Sequence, residues 1–215
     1  MIVTLDGPAG AGKSSVAKAL AARLGFQFLD TGATYRAVAL AAVRAGLGED
    51  DAQRIGQLAS QTDVRLEGDR VFLNDEDVSL AIRTPQVTAI TRYAADNPAV
   101  REHLVNVQRL MATGQNVVTE GRDQGTVVFP QAECKIFLTA SVDERARRRL
   151  ADFEERGEET TLEEVRQAQI DRDRRDESRE VGPLKKAADA VEVVTNGMSL
   201  DQVVDRLEEI VRDRM

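Results

Sequence analysis

Residues 7–14 read Gly7-Pro8-Ala9-Gly10-Ala11-Gly12-Lys13-Ser14, which fits G-x-x-x-x-G-K-[ST] without a mismatch. Each position has a physical task. The glycines let the chain wrap so that successive backbone N–H groups point inward at a phosphate. A helix starting here adds the positive end of its dipole. Lys13 reaches toward the outer phosphates, and Ser14 offers a hydroxyl to a bridging Mg²⁺. The flanks agree: Ile2-Val3-Thr4-Leu5 has the apolar, β-branched character of a buried strand, and Ser14 to Leu24 has the alanine and leucine content of a helix.

At 215 residues the chain is long enough for one sizeable core with an inserted lobe. Hydrophobic residues at 42% and charged residues at 31% describe a water-soluble domain. The longest apolar run, Ala37 to Val43, is too short to span a bilayer, and no signal-peptide pattern precedes the first strand, so a cytoplasmic location is expected. The single cysteine, Cys134, excludes an internal disulfide or a cysteine metal cluster; it stands just before the strand-like run Lys135-Ile136-Phe137-Leu138, where packing is its expected role. A net charge of −8 argues against a broad basic face for nucleic acid. The basic residues comprise 24 Arg and 5 Lys, a bias that permits bidentate anion binding without requiring it.

Along the chain, Phe26 to Leu29 reads as a second strand running into Asp30-Thr31-Gly32, then a helix from about Thr34 to Ala45 and another from Asp51 to Gln61. Val64-Arg65-Leu66 and Val71-Phe72-Leu73 alternate around Gly68-Asp69 as a hairpin, with a third short strand at Asp77-Val78-Ser79. Helices follow at about Pro85 to Ala95 and Pro98 to Thr113. Asn116 to Thr119, Lys135 to Leu138 and Ala190 to Val194 return to buried-strand character. Strands alternating with helices predict an α/β fold: a five-stranded parallel sheet with helices on both faces. The small antiparallel patch becomes an insert at about 62–97 within a single domain spanning 1–215. Ligands in such sheets bind at the carboxyl ends of the strands, where the glycine-rich loop, Asp30-Thr31-Gly32 and Gly121-Arg122-Asp123 all fall. The last helix, Leu200 to about Asp213, carries a packing stripe of Leu200, Val203, Val204, Leu207, Ile210 and Val211.

Three further constellations narrow the chemistry. Arg36 lies about one turn beyond the second strand's end, where an arginine can hold an acceptor phosphate opposite the donor; a solvated helix arginine is the plain alternative. Arg122 and Asp123 stand adjacent on a glycine-flanked turn: the first suits a phosphate, the second an amine or hydroxyl donor, or the two pair locally. Arg172, Arg175, Asp176 and Arg179 fall at i, i+3, i+4 and i+7 on one helical face, and Arg145-Ala146-Arg147-Arg148-Arg149 forms a second basic cluster. The polar stretch Asp152 to Thr161 between them suits a mobile lid, about 150–171, closing over phosphates. A solvated face laced with ion pairs is the competing reading.

These pieces resemble the bacterial cytidylate kinase family of P-loop nucleoside monophosphate kinases. The likeness rests on Gly7 to Ser15, Leu29-Asp30-Thr31-Gly32 with Tyr35-Arg36, Ile82-Arg83-Thr84, Val100-Arg101-Glu102, Gly121-Arg122-Asp123 with Gly125 to Pro130, and Arg172 to Arg179 followed by Pro183-Leu184. The resemblance implies a kinase that moves the γ-phosphate of ATP to CMP or dCMP. It assigns ATP to Gly7, Pro8, Ala9, Gly10, Ala11, Gly12, Lys13, Ser14, Ser15 and Arg148, with Mg²⁺ on Ser14. It assigns CMP to Asp30, Thr31, Arg36, Arg101, Arg122, Asp123, Arg172, Asp176 and Arg179. Arg36 and Arg122 would meet the acceptor phosphate, Arg101 and Asp123 the cytosine, and Arg172, Asp176 and Arg179 the sugar and phosphate. Lys13, Arg36, Arg122 and Arg179 would carry the catalysis. The chain departs from the family's pattern at Arg92, a position where the resemblance often implies a serine that contacts the base; the adjacent Thr91 could substitute.

The chemistry is consistent with that implication. A nucleoside monophosphate needs no general base, because its phosphate is mostly ionised at neutral pH, with a second pKa of about 6. The one histidine, His103, is read as exposed or packed. A kinase acting on a hydroxyl would need a carboxylate base, and Asp30 or Asp123 leaves that reading open. A nucleotide-hydrolysing switch would show N-K-x-D or an acid ending an apolar strand; N-K-x-D is absent, and Ile136 to Ala140 ends without an acid. The expected partners are small nucleotides, with neither a nucleic-acid polymer nor a membrane, and a monomer is expected.

Overall fold

A computed structural model describes residues 1–215. In chain order the elements are β1 (Ile2–Asp6), α1 (Lys13–Leu24), β2 (Gln27–Asp30), α2 (Thr31–Arg44), α3 (Ala52–Ser60), β3 (Val64–Glu67), β4 (Arg70–Leu73), β5 (Glu76–Asp77), α4 (Pro85–Asp96), α5 (Pro98–Ala112), β6 (Val117–Gly121), β7 (Cys134–Thr139), α6 (Val142–Glu155), α7 (Leu162–Ser178), β8 (Val191–Val194) and α8 (Leu200–Arg212). Five strands form a parallel sheet in the order β2-β6-β1-β7-β8, and three form an antiparallel sheet in the order β3-β4-β5. This is the predicted α/β class with its small antiparallel addition.

The chain divides into two compact units, residues 1–26 with 116–215, and residues 27–115. In the first, β1 lies between β6 and β7 with Val3 opposite Val118 and Cys134. Val3, Thr4 and Leu5 are buried, as are Val117, Val118, Ile136 and Leu138. Burial of consecutive residues, which point to opposite faces, means both faces of the sheet are covered. Helix α8 packs Val203, Val204, Leu207, Ile210 and Val211 inward, while Leu200, expected on that stripe, is 47% exposed at the helix's first turn. Cys134 opens β7 rather than preceding it; it is buried, and burial pushes its thiol up to about 11, as a packing role requires.

In the second unit α2 is the centre of the core. Ala33, Ala37, Val38, Ala39, Leu40, Ala41 and Ala42 are all buried, because small side chains let neighbours approach this helix on several sides. The helix starts at Thr31, three residues earlier than the sequence suggests, because the Asp30 carboxylate caps it by accepting the Ala33 N–H at 3.0 Å. The hairpin β3–β4 turns at Gly68-Asp69 as expected, with Gly68 at φ +60°. The third strand is Glu76–Asp77 rather than 77–79, since Ser79 folds back: its N–H donates to Asp77 Oδ1 at 3.0 Å and its Oγ accepts the Val71 N–H at 2.9 Å.

Candidate active site

Strand β1 ends at Asp6, opposite Gly121 at the end of β6, so the loops leaving these strands start side by side at the carboxyl edge of the sheet. The first loop, 7–12, enters α1 at Lys13. Gly7 cannot be replaced: a Cβ there would lie 1.9 Å from the carbonyl oxygen of Leu138 in β7. The loop is thus pressed against the sheet just before it enters α1.

Lys13 is buried and donates to the Pro8 carbonyl at 2.8 Å. Burial, with the charges of Arg122 and Arg172 adding to it, lowers its ammonium to about 7, against the pull of Glu120 and Asp6. A cation this poorly solvated gains more from a bound polyphosphate than an exposed lysine would. The Ser14 hydroxyl donates at 2.9 Å to Oε1 of Glu120, the buried penultimate residue of β6. A hydroxyl and a carboxylate make a hard oxygen donor set suited to a divalent cation. The apolar strand 136–140 ends without an acid; the acid stands next to the end of β6 instead, where Thr119 and Glu120 break that strand's apolar run.

Beyond β6, Gly121-Arg122-Asp123 leads into a π-type turn, Gln124–Val128. Arg122 donates through Nε to Oδ2 of Asp176 at 2.7 Å, and Arg179 donates to Oδ1 of the same carboxylate. Asp176 is buried; burial raises its carboxyl, but Arg122 and then Arg179 outweigh that, so it titrates below the usual range. Asp123 is also buried. The structure therefore gathers Lys13, Arg122, Asp176 and Arg179 within one unit. Helix α7 stops at Ser178, so Arg179 caps it in extended backbone rather than continuing the helical face assigned from the spacing. Arg175 is exposed, its Nε donating to the Asp171 carbonyl at 3.2 Å, and does not join the group.

The cluster 145–149 does not act as one patch. Arg145 is buried and braces three segments: Nε donates to Ala140 O at 3.0 Å, Nη1 to Ala9 O in the glycine-rich loop at 2.9 Å, and Nη2 to Asp173 of α7 at 2.6 Å. Arg148 stands beside the loop, its Nη1 3.8 Å from where a Cβ on Gly12 would be, and its guanidinium donates to Thr195 and Glu144. Arg147 and Arg149 point outward into i,i+3 pairs with Glu144 and Asp152. Helix α7 also reaches the loop through Gln169, whose Nε2 is 2.9 Å from a Cβ built on Gly10. Much of the polar stretch 152–161 is helix end and turn, since α6 continues to Glu155 and α7 begins at Leu162.

In the second unit, Arg36 on α2 donates to Thr88 Oγ1 at 2.9 Å. Arg101 on α5 is buried, donates to Ala95 O at 2.9 Å and lies 5.4 Å from the Tyr35 ring centroid. Thr31 is buried at the start of α2, its carbonyl accepting the Thr34 hydroxyl at 2.7 Å. Arg92 stacks on Tyr93 at 4.4 Å and pairs with Glu49 at 3.5 Å on the exterior, while the Thr91 hydroxyl donates to Val87 O. His103 is half-buried with an Nε2 that has no hydrogen-bond partner, beside an open groove of about 710 Å³ between α3 and α5.

A parallel sheet that ends in a glycine-rich loop, a buried lysine and a Ser–carboxylate pair defines a P-loop phosphotransferase. The fold agrees with shikimate kinase from Bacteroides thetaiotaomicron, whose structure matches at a TM-score of 0.51 with 16% identity over 99% of this chain and 98% of that one. Residues 3–213 match the sequence model of the family described as "Cytidylate kinase". Cytidylate kinase of Rhodopirellula baltica is 51% identical over 213 residues, 99% of this chain and 93% of that protein. Cytidylate kinase of Geobacter sulfurreducens is 46% identical over all of this chain and 94% of its own length. The chain belongs to the cytidylate kinase family. No helix is long and apolar enough to cross a membrane.

Proposed function

We infer that the chain transfers the γ-phosphoryl group of ATP to CMP or dCMP, giving ADP and CDP or dCDP. The observation that carries this is the shared sheet edge. Arg122 follows β6 where that strand lies beside β1, so an arginine suited to an acceptor phosphate stands next to the loop suited to the donor. The sequence-wide similarity to cytidylate kinases names the acceptor.

In this reading the loop N–H groups and Lys13 hold the β and γ phosphates of ATP, and Arg148 borders the same loop. Ser14 and Glu120 would hold Mg²⁺, whose chemistry is charge neutralisation between phosphate oxygens. Arg122 and Arg179 exchange their bonds to Asp176 for bonds to the acceptor phosphate, leaving the Asp176 carboxylate and Arg172 to the sugar. Asp123 accepts from the cytosine amine. In the second unit Arg36 is assigned to the acceptor phosphate, Arg101 to the base, and Asp30 and Thr31 to the phosphate-side loop. Segment 150–171 serves as a lid. No proton acceptor is required, because the attacking phosphate oxygen is already ionised.

The test is ADP formation from ATP and Mg²⁺ with each nucleoside monophosphate in turn. CMP or dCMP dependence supports the assignment; equal ADP release without any acceptor overturns it in favour of a hydrolase.

A further inference from the structure

The turn that carries Arg122 and Asp123 is anchored from outside its own strand. Asp6, the residue before Gly7, is 4% exposed. Its Oδ1 accepts the Gln124 N–H at 2.8 Å and its Oδ2 the Gly125 N–H at 2.7 Å, so both oxygens are spent on consecutive amides of that turn. The contact is tight, because a Cβ on Gly125 would lie 2.9 Å from Thr4 Oγ1 and 3.3 Å from Asp6 Oδ2. From the other side, Thr119 of β6 donates to the buried Gln124 side chain at 2.9 Å. The Asp123 carbonyl closes the turn by accepting from Val127 at 2.8 Å and Val128 at 3.1 Å.

A buried carboxylate is an expensive way to hold a turn, and burial pushes this one up to about 6. An apolar residue would avoid that cost but could accept neither N–H. An asparagine has one oxygen and would aim its NH₂ at the second amide. The side chain therefore suits one task, holding two adjacent N–H groups at a fixed distance from the end of β1.

We propose that Asp6 is a positioning residue for acceptor recognition, fixing the Arg122–Asp123 dipeptide against the strand that leads into the donor-phosphate loop. The proposal rests on the reading that Arg122 and Asp123 meet CMP. Asp6 touches neither nucleotide; it acts through the backbone of Gln124 and Gly125. Loss of the anchor loosens base and phosphate recognition on the acceptor side while the loop's own N–H groups and Lys13 stay in place.

The experiment uses the full chain and its Asp6→Asn variant, with separate KM values for ATP and CMP, the CMP-to-UMP preference, and backbone hydrogen exchange of residues 122–126. The expected result is a rise in KM for CMP of about tenfold or more, a reduced CMP preference and an ATP KM within about twofold. Exchange at Gln124 and Gly125 accelerates while β1 and β6 remain protected. Faster exchange with an unchanged CMP KM and preference overturns the proposal, and so does an equal loss for both nucleotides. Should Asp6→Asn not fold, Gly125→Ala displaces the same turn from its other side; the same split supports the proposal and unchanged CMP use overturns it. Absence of CMP-dependent ADP formation by the unmodified protein would instead remove the functional reading, whereas unchanged exchange in Asp6→Asn removes the anchor.

Discussion

Arg122 Nε and Asp176 Oδ2 lie 2.7 Å apart, joining the turn after β6 to α7 across 54 residues of sequence. Asp176 also accepts from Arg179, so one buried carboxylate holds two of the cations assigned to the acceptor phosphate. Replacing it with alanine leaves both guanidinium groups without this partner. Breaking such a pair costs on the order of 3 kcal/mol. The folded carboxyl titrates below its unfolded value of 3.8, so this contribution is present above pH 3.8 and fades as pH falls through the folded value. Chemical denaturation of Asp176→Ala at neutral and at strongly acidic pH checks it: the gap from the unmodified protein narrows in acid.

Lys13→Met lowers kcat by about a hundredfold or more, because it removes a charge aimed at the transferring phosphoryl group. The same change stabilises the ligand-free fold. The folded lysine titrates near 7 against 10.5 unfolded, so the unfolded chain binds more protons between these values and stability climbs with pH across that window. Asp6 acts oppositely at lower pH: with its carboxyl raised from 3.8 to about 6, stability drops as pH rises through that range. Denaturation curves from pH 4 to pH 10 should show a trough between about 6 and 7, with the alkaline rise diminished in Lys13→Met.

Arg36→Ala and Arg122→Ala each raise the KM for CMP more than the KM for ATP, by about tenfold or more, since both are assigned to the acceptor. Independent titration of the two nucleotides decides the point; a weakened ATP site beside an intact CMP site would refute the assignment.

Base choice provides a fourth test. Ionised Asp123 can accept from the cytosine amine but would face the uracil carbonyl without a donor, a mismatch of about 1–3 kcal/mol. CMP or dCMP is therefore used in preference to UMP, and Asp123→Ala narrows the gap mainly by losing CMP. Arg92→Ser changes CMP use less than Arg101→Ala does. Arg92 is occupied with Tyr93 and Glu49 on the exterior, whereas Arg101 is buried against Tyr35. Competition between CMP and UMP across these variants gives the ranking.

The strands and most helix limits were legible because period and composition agree there: β1, the hairpin at Gly68-Asp69 and the stripe of α8 follow directly from apolar spacing. The glycine-rich loop was legible because its fixed positions carry its mechanism. What escaped were residues whose role depends on a partner distant in sequence. Asp6 falls between the strand-like run Ile2 to Leu5 and the glycine-rich loop, and only the approach of residues 124–125 shows what it holds. Glu120 falls between the strand-like run Asn116 to Thr119 and the turn at Gly121, and only Ser14 against it shows its role. Arg145 reads as one of four arginines in a row of five residues; burial separates the brace from exposed Arg147 and half-buried Arg149.

The sheet order has a consequence for the growing chain. β1 ends at Asp6, yet its two neighbours in the sheet are β6 and β7, which begin far later in the sequence at Val117 and Cys134. The nascent chain must carry β1 as an unpaired apolar segment until those later strands are made, while residues 27–115, with contacts nearer in sequence, can fold in the interval. The short length of β1 and the charge of Asp6 at its end limit what else that segment can pair with while it waits.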